Sequence, residues 1–382
     1  MKKIKDRKIV IVNQAVNYLT IGFANSFYER FENVSLITGS IHAQGEELNS
    51  GIKVQLINQW YESPVHRKIW SFSVALLKIW TLVLFKYPRH EVFFVSVPPM
   101  GYLLNLILPN RFSMVIWDIY PDVLKISGMR DTHFLYRLWS FLNKKSFKKA
   151  YRLYTITPFM AQALEKYVQR DKIIVLPIWS IFQNNDKVPS HQNPFVKEHK
   201  LENKFVVQYS GNIGLTHNVE ILITIAELLR FNDKIVFQII GRGHRKSYLK
   251  KLVEDKKLLN CMFVPFQSDE MFPYSLSSAD LGVVVLEELV SKGSVPSKSY
   301  NLMSYGIPSL YVSSKDSQLN IYAQEYGHAK CFTKQELQEI AAFIVSLSMD
   351  DNLRKQMSEC ALMAAQDFRR SNANKFVDAY LS

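Results

Sequence analysis

The sequence predicts a two-domain α/β protein in which each domain is a doubly wound, mostly parallel sheet. Three observations carry that prediction. Short β-branched runs alternate with helical patterns along nearly the whole chain, as in parallel sheets covered on both faces. A chain of 382 residues is longer than one core ordinarily supports. A glycine-bearing strand–turn–helix also opens past the midpoint, in VVQYSGNIGLTHNVEILITIAELL over 206–229.

In the first half the expected strands are KIVIV (8–12), VSLIT (34–38), VQLIN (54–58), VFFVSV (92–97), SMVIWD (113–118), LYTIT (153–157) and IIVLP (173–177). Helical patterns fall between them, for instance over 131–149 and 158–168. The opening MKKIKDRKIVIV has too short an apolar run for a signal peptide and reads as a first strand. The turn that follows, VNQAVNYLTIGF, lacks the GxGxxG pattern, so a nucleotide is not expected there. In the second half the rhythm repeats with FVVQYSG (205–211), IVFQIIG (235–241), CMFVPF (261–266), LGVVVL (281–286) and SLYVS (309–313). Between the halves, residues 180–203 are polar, carry two prolines and show no period. The expected domains are therefore 1–190 and 191–365.

Charge is divided unequally. Residues 1–190 hold 25 Lys/Arg against 13 Asp/Glu, whereas residues 191–382 hold 22 against 21, so the net +13 sits almost wholly in the first half. Such a domain suits nucleic acid, a membrane surface or an anionic substrate. The run KIWSFSVALLKIWTLVLF (68–85) is apolar but interrupted by Lys78. It reads either as a core helix with its lysine reaching out or as a helix lying on a membrane. KKSFKK (144–149) is a solvated face or a contact for anionic headgroups. Aromatic, glycine and basic residues are not interleaved as in RNA-recognition modules, which argues against nucleic acid. The three cysteines, Cys261, Cys331 and Cys360, form no CxxC or Cys/His pattern, which points away from disulfides and structural zinc.

Three motifs concentrate the chemistry. In SGNIG, Gly211 and Gly214 permit a tight turn and close approach to a diphosphate, and Asn218 is the expected N-cap of the next helix. In IIGRG, Gly241 precedes Arg242, which reads either as a bidentate phosphate partner or as a solvated loop arginine. In VPSKSYNLMSYGIPSLYVS, Ser297 and Lys298 follow Pro296 at a helix start. A lysine there is electrostatically misplaced unless an anion binds too.

In this order the motifs resemble the donor-binding domain of GT-B fold glycosyltransferases, specifically glycosyltransferase family 4. The matching pieces are YSGNIG, IIGRG, VPF (264–266), SADLGVVVL (278–286) and VPSKSYNLMSYGIPSLYVS. The first half, with WDIYPDVLKISGM (117–129), TITPFM (155–160) and IIVLPIW (173–179), resembles the branch that makes bacterial surface polysaccharides such as capsule and lipopolysaccharide O-antigen.

The resemblance implies two Rossmann-like domains facing a cleft, with the C-terminal helix (366–382) crossing back to the first. It implies a UDP- or GDP-linked sugar donor on the second domain and an acceptor on the first. It implies a retaining hexosyl- or N-acetylaminohexosyltransferase with no metal and no other cofactor. Lys298 and Arg242 would stabilise the departing nucleoside diphosphate. Gly211, Asn212, Gly214, His217, Gly241, Phe266, Glu287, Ser297 and Asn301 would contact the donor, with backbone near Phe266 holding the base. Asp118 would orient or deprotonate the acceptor hydroxyl, or else cap a helix in DIYPD; Asp122 reads as structural. The sequence departs from the family at Asn212 and His217, where many members carry arginine and lysine, and at Gly293 and Asn301, where they carry a glutamate pair.

The basic first half and the 68–85 helix favour a polyprenyl-diphosphate-linked saccharide as acceptor, reached from an anionic membrane at the cytoplasmic face. Two rivals remain: a GT-B epimerase acting on UDP-sugars without an acceptor, and a non-catalytic nucleotide-sugar-binding scaffold.

Overall fold

The computed structural model describes residues 3–61, 64–183, 186–214, 217–291 and 294–382. The chain divides into two compact units, Met1–Ile181 with Arg370–Ser382, and Phe182–Arg369.

The first unit contains β1 (Ile4–Val12), β2 (Ala15–Val16), β3 (Phe31–Thr38), β4 (Ser40–Ile41), β5 (Lys53–Leu56), β6 (Glu91–Val95), β7 (Phe112–Ile116), β8 (Arg152–Thr155) and β9 (Ile173–Val175). Seven of them form one parallel sheet in the order β5-β3-β1-β6-β7-β8-β9. Its direction of growth reverses between β1 and β6, and ligands of such sheets gather at the strand ends beside that reversal. Ile9, Val10, Ile11 and Val12 are all fully buried, as expected for a central strand covered on both faces.

The turn after β1 is filled by its own side chains. Asn13 Nδ2 donates to Thr20 Oγ1 (2.7 Å), while Asn13 Oδ1 accepts from the Ala15 N–H (3.1 Å). Gln14 Nε2 donates to Asn58 O (3.1 Å) and Ser71 Oγ (3.1 Å). Asn17 then caps the helix Tyr18–Arg30 by accepting from the Thr20 N–H.

Against this helix packs the C-terminal helix Asn372–Leu381. Phe376 meets Phe23 at 4.7 Å between ring centroids, and Tyr380 meets Phe27 at 5.2 Å. Arg370 anchors the segment, donating to both carboxylate oxygens of Glu46 (2.6 and 2.7 Å), to Ser26 Oγ and to Gly22 O.

The second unit contains β10 (Phe205–Asn212), β11 (Ile235–Arg242), β12 (Cys261–Val264), β13 (Leu281–Val285), β14 (Ser309–Val312) and β15 (Ala329–Phe332). They form a parallel sheet in the order β12-β11-β10-β13-β14-β15, reversing between β10 and β13.

Two expectations need correction. The first unit ends at Ile181, not at 190. Phe182 packs on Phe272 and Tyr305, Lys187 Nζ donates to Ala279 O (2.6 Å), and the Val188 N–H donates to Ser277 Oγ (3.1 Å). Likewise the return to the first unit begins at Arg370 rather than 366, because buried Phe368 is held among Tyr300 and Tyr322. The sequence also gave no sign of β15, whose AKCF lacks an apolar run, or of the two-residue pairing of β2 with β4.

Candidate functional site

In the second unit β10 and β11 stay in parallel register as far as Gly211↔Gly241 and Asn212↔Arg242. Both glycines adopt φ of +153°. A Cβ on Gly241 would stand 1.9 Å from the Gly211 carbonyl oxygen, so only glycine lets the two strand ends lie this close. Beyond them the Ile213 N–H donates to Arg242 O (2.9 Å), closing the turn.

Lys298 opens the helix Lys298–Ser304 and reaches into this turn. Its Nζ lies 3.9 Å from the centroid of the Tyr209 ring, and 2.9 Å from where a Gly211 Cβ would be. The Tyr209 hydroxyl donates to Asn212 O (2.6 Å), which fixes the ring beneath the ammonium. The ammonium itself is sealed from solvent and has no hydrogen-bond partner among the described residues. Burial lowers its pKa to about 7. An unpaired buried cation is costly, and an aromatic face offsets only part of that cost. An anion entering the turn would restore the full charge.

His217 Nδ1 lies 2.8 Å from Val285 O. A carbonyl can only accept, so Nδ1 carries the proton and Nε2 is left as an acceptor. Burial first, then the Lys298 charge, lowers the His217 pKa to about 4. His217 is therefore neutral near pH 7 and adds no positive charge beside Lys298.

The other expected donor residues are distributed around this turn. Asn212 is exposed, its amide nitrogen 3.0 Å from the place a Gly214 Cβ would take. The Arg242 guanidinium lies 4.9 Å from the centroid of the Phe266 ring, so the residues expected to meet phosphate and base meet each other. Glu287 Oε2 lies 3.5 Å from Lys334 Nζ, which draws its carboxylate toward β15. Ser297 precedes the Lys298 helix without a side-chain capping bond and accepts at its carbonyl from the Asn301 N–H (3.3 Å). Gly293, with residues 215, 216 and 292, lies outside the described residues.

Asn218 is not the helix cap. The helix begins at Glu220 with Val219 in the capping position, and Asn218 Oδ1 is buried without a partner among the described residues. Tyr209 escaped the sequence reading, although a signal existed. Residues two apart share one face of a strand, so a lysine reaching Gly211 must pass over position 209.

In the first unit Asp118 stands just past β7, exposed and accepting no hydrogen bond from the described residues. Surrounding protein nevertheless raises its carboxyl above the usual range. The helix-capping alternative fails, since the short helix Asp122–Ser127 is preceded by Pro121 and has no side-chain cap. Asp122 is fully engaged, accepting from Tyr136 (2.5 Å) and Tyr167 (2.9 Å) and pairing with Lys166.

Comparison with known proteins bears on these features. Residues 191–362 match the family described as glycosyl transferases group 1. WcaI of Escherichia coli (strain K12), named as a colanic acid biosynthesis glycosyl transferase, is 28% identical over 188 residues, 48% of this chain and 46% of that protein. WbjE of Pseudomonas aeruginosa, named as a glycosyltransferase, is 25% identical over 227 residues, 59% of this chain and 56% of its own. The chain thus spans about half the length of the curated relatives it matches. Among solved structures, Anabaena Alr3699/HepE in complex with UDP and glucose superposes with a TM-score of 0.74 at 14% identity, covering 98% of this chain and 99% of that one. The fold is accordingly the two-domain α/β architecture of GT-B glycosyltransferases, and the stretch similar to the group 1 glycosyl transferase family lies within the second unit.

Proposed function

We propose that the protein is a retaining glycosyltransferase of bacterial surface-polysaccharide biosynthesis. It moves a hexosyl or N-acetylaminohexosyl group from a UDP- or GDP-linked donor to a saccharide carried on a polyprenyl diphosphate, at the cytoplasmic face of the membrane. The observation that carries this reading is the Lys298 ammonium, buried between the Tyr209 ring and the Gly211 backbone without a hydrogen-bond partner among the described residues. That arrangement suits a pyrophosphate, whose charge would complete the ammonium's coordination. The names of WcaI and WbjE support the reaction class, and the UDP and glucose held by HepE support the donor class.

In the proposed reaction Lys298 takes up a proton as the donor diphosphate binds and holds the charge that grows on the leaving phosphate. Arg242, released from Phe266, adds a second cation while the ring takes the base. The acceptor hydroxyl, oriented by Asp118, attacks the anomeric carbon on the face the diphosphate leaves, and a departing phosphate oxygen receives its proton. Charge on the leaving group is met by side chains, so no metal is needed. The test is sugar transfer from labelled UDP- and GDP-sugars to undecaprenyl-diphosphate glycans. Absence of transfer from every donor, or full activity of Lys298→Met, overturns the proposal.

A further inference from the structure

One layer of the first unit joins exposed apolar side chains to basic ones. The helix Val65–Thr81, continued by the turn Leu82–Lys86, joins β5 to β6, and the helix Phe134–Lys149 joins β7 to β8. Both connections cross the sheet in the same direction, and right-handed crossovers place them on the same face. Between them in sequence, the segment 101–108 joins β6 to β7 and is bonded to the second helix: Tyr102 donates to Asn143 Oδ1 (2.9 Å) and Asn105 Nδ2 to Ser146 O (2.8 Å).

Each helix buries one stripe. Ser71, Ala75, Ile79 and Val83 face inward on the first, and Tyr136, Asn143, Ser146 and Phe147 on the second. Asn58 Nδ2 donates to Ser71 O (2.6 Å), tying the first helix to the unit. The span His66–Lys86 is long and apolar enough to cross a bilayer, yet this inward packing holds it in the fold. Outward, the first helix shows Trp70, Leu77 and Phe85, and the second shows Phe134, Leu138 and Phe141, with Phe85 76% and Phe134 71% exposed. Across both segments there are nine Lys/Arg and no Asp or Glu. Lys145 Nζ lies 4.5 Å from the Phe141 ring centroid, so cation and aromatic share one surface.

We infer that this layer is the docking face for an anionic lipid bilayer, with the aromatic and leucine side chains entering the headgroup boundary and the lysines meeting lipid phosphates. Large apolar groups beside cations, with no Asp or Glu on either segment, fit such a surface. The inference deepens the proposed transfer to a lipid-linked acceptor and rests on it for its purpose.

The test is co-sedimentation of the full chain with vesicles of phosphatidylcholine mixed with phosphatidylglycerol, against phosphatidylcholine alone. Binding is expected to the mixed vesicles, to fall with added salt, and to weaken about tenfold in Phe134→Ser/Phe141→Ser and in Lys145→Glu/Lys148→Glu. Unchanged thermal unfolding of these surface variants excludes misfolding, and unchanged UDP affinity shows the second unit intact. No binding by the wild type, equal binding to both vesicles, or undiminished binding by both variants overturns the inference. If the vesicle results hold while no sugar is transferred, the docking face stands and the proposed reaction falls.

Discussion

The turns that follow the first strand of each unit occupy the same place in the same topology and are built in opposite ways. After β1 the turn is closed by side-chain amides, with Asn13 and Gln14 buried and bonded to Thr20, Asn58 and Ser71. After β10 it is opened by glycine, and the space so made holds an ammonium with no hydrogen-bond partner among the described residues. The side-chain N–H donors of the first turn are already engaged and offer an anion nothing, whereas the unpaired ammonium of the second is stabilised by one. Position in a doubly wound sheet thus makes a site available, and the local residues decide whether it is used.

The sharpest way to break the contrast is to remove the cation. Lys298→Met should reduce sugar transfer about a thousandfold and abolish calorimetrically detected UDP binding. The same variant should unfold at higher temperature at neutral pH, because it removes a buried charge. The sign follows from the lowered pKa: with native Lys298 near 7 and unfolded lysine near ~10.4, the unfolded chain binds more protons across that window. Wild-type stability therefore rises with pH from 7 upward, and the penalty is complete below it. In Lys298→Met this dependence should disappear from urea titrations.

A smaller effect is expected from Gly241→Ala, whose methyl would collide with the Gly211 carbonyl. Parting the strand ends should weaken UDP binding about a hundredfold, roughly 3 kcal/mol, with a change in its heat. Smaller again is the pH effect on the wild type. Because diphosphate binds the charged lysine, the UDP dissociation constant should rise about tenfold per pH unit above pH 7, measured by calorimetry in buffers of different ionisation enthalpy. Least of all, Gln14→Ala should leave UDP affinity unchanged while costing about 1–3 kcal/mol of stability in denaturant melts. A loss of UDP affinity there would erase the contrast.

Much of this was legible in the chain because the central strands are continuous β-branched runs, and a run such as Ile9 to Val12 has few other ways to bury itself. Lys298 was legible because a lysine at a helix start contradicts the helix dipole. The rest depended on tertiary context. AKCF becomes a strand only because β14 lies beside it. Asn218 is a good cap by type, yet the chain enters the helix one residue later. The neutrality of His217 arises from burial and from Lys298, eighty-one residues further along, which no local pattern encodes. The boundary was misplaced because polar, proline-bearing residues 182–190 look like a linker until Phe182 and Lys187 are seen anchored to the second unit.

The return of Arg370–Ser382 to the first unit has a consequence for synthesis. The second unit is an insertion within the first, so a ribosome releases a complete second unit while the first still lacks its closing helix. Until the helix Asn372–Leu381 emerges, Phe23 and Phe27 lie open where Phe376 and Tyr380 belong. The unit whose strands are made first therefore matures after the second unit, and a nascent chain stalled before Arg370 would display a greasy seam to chaperones.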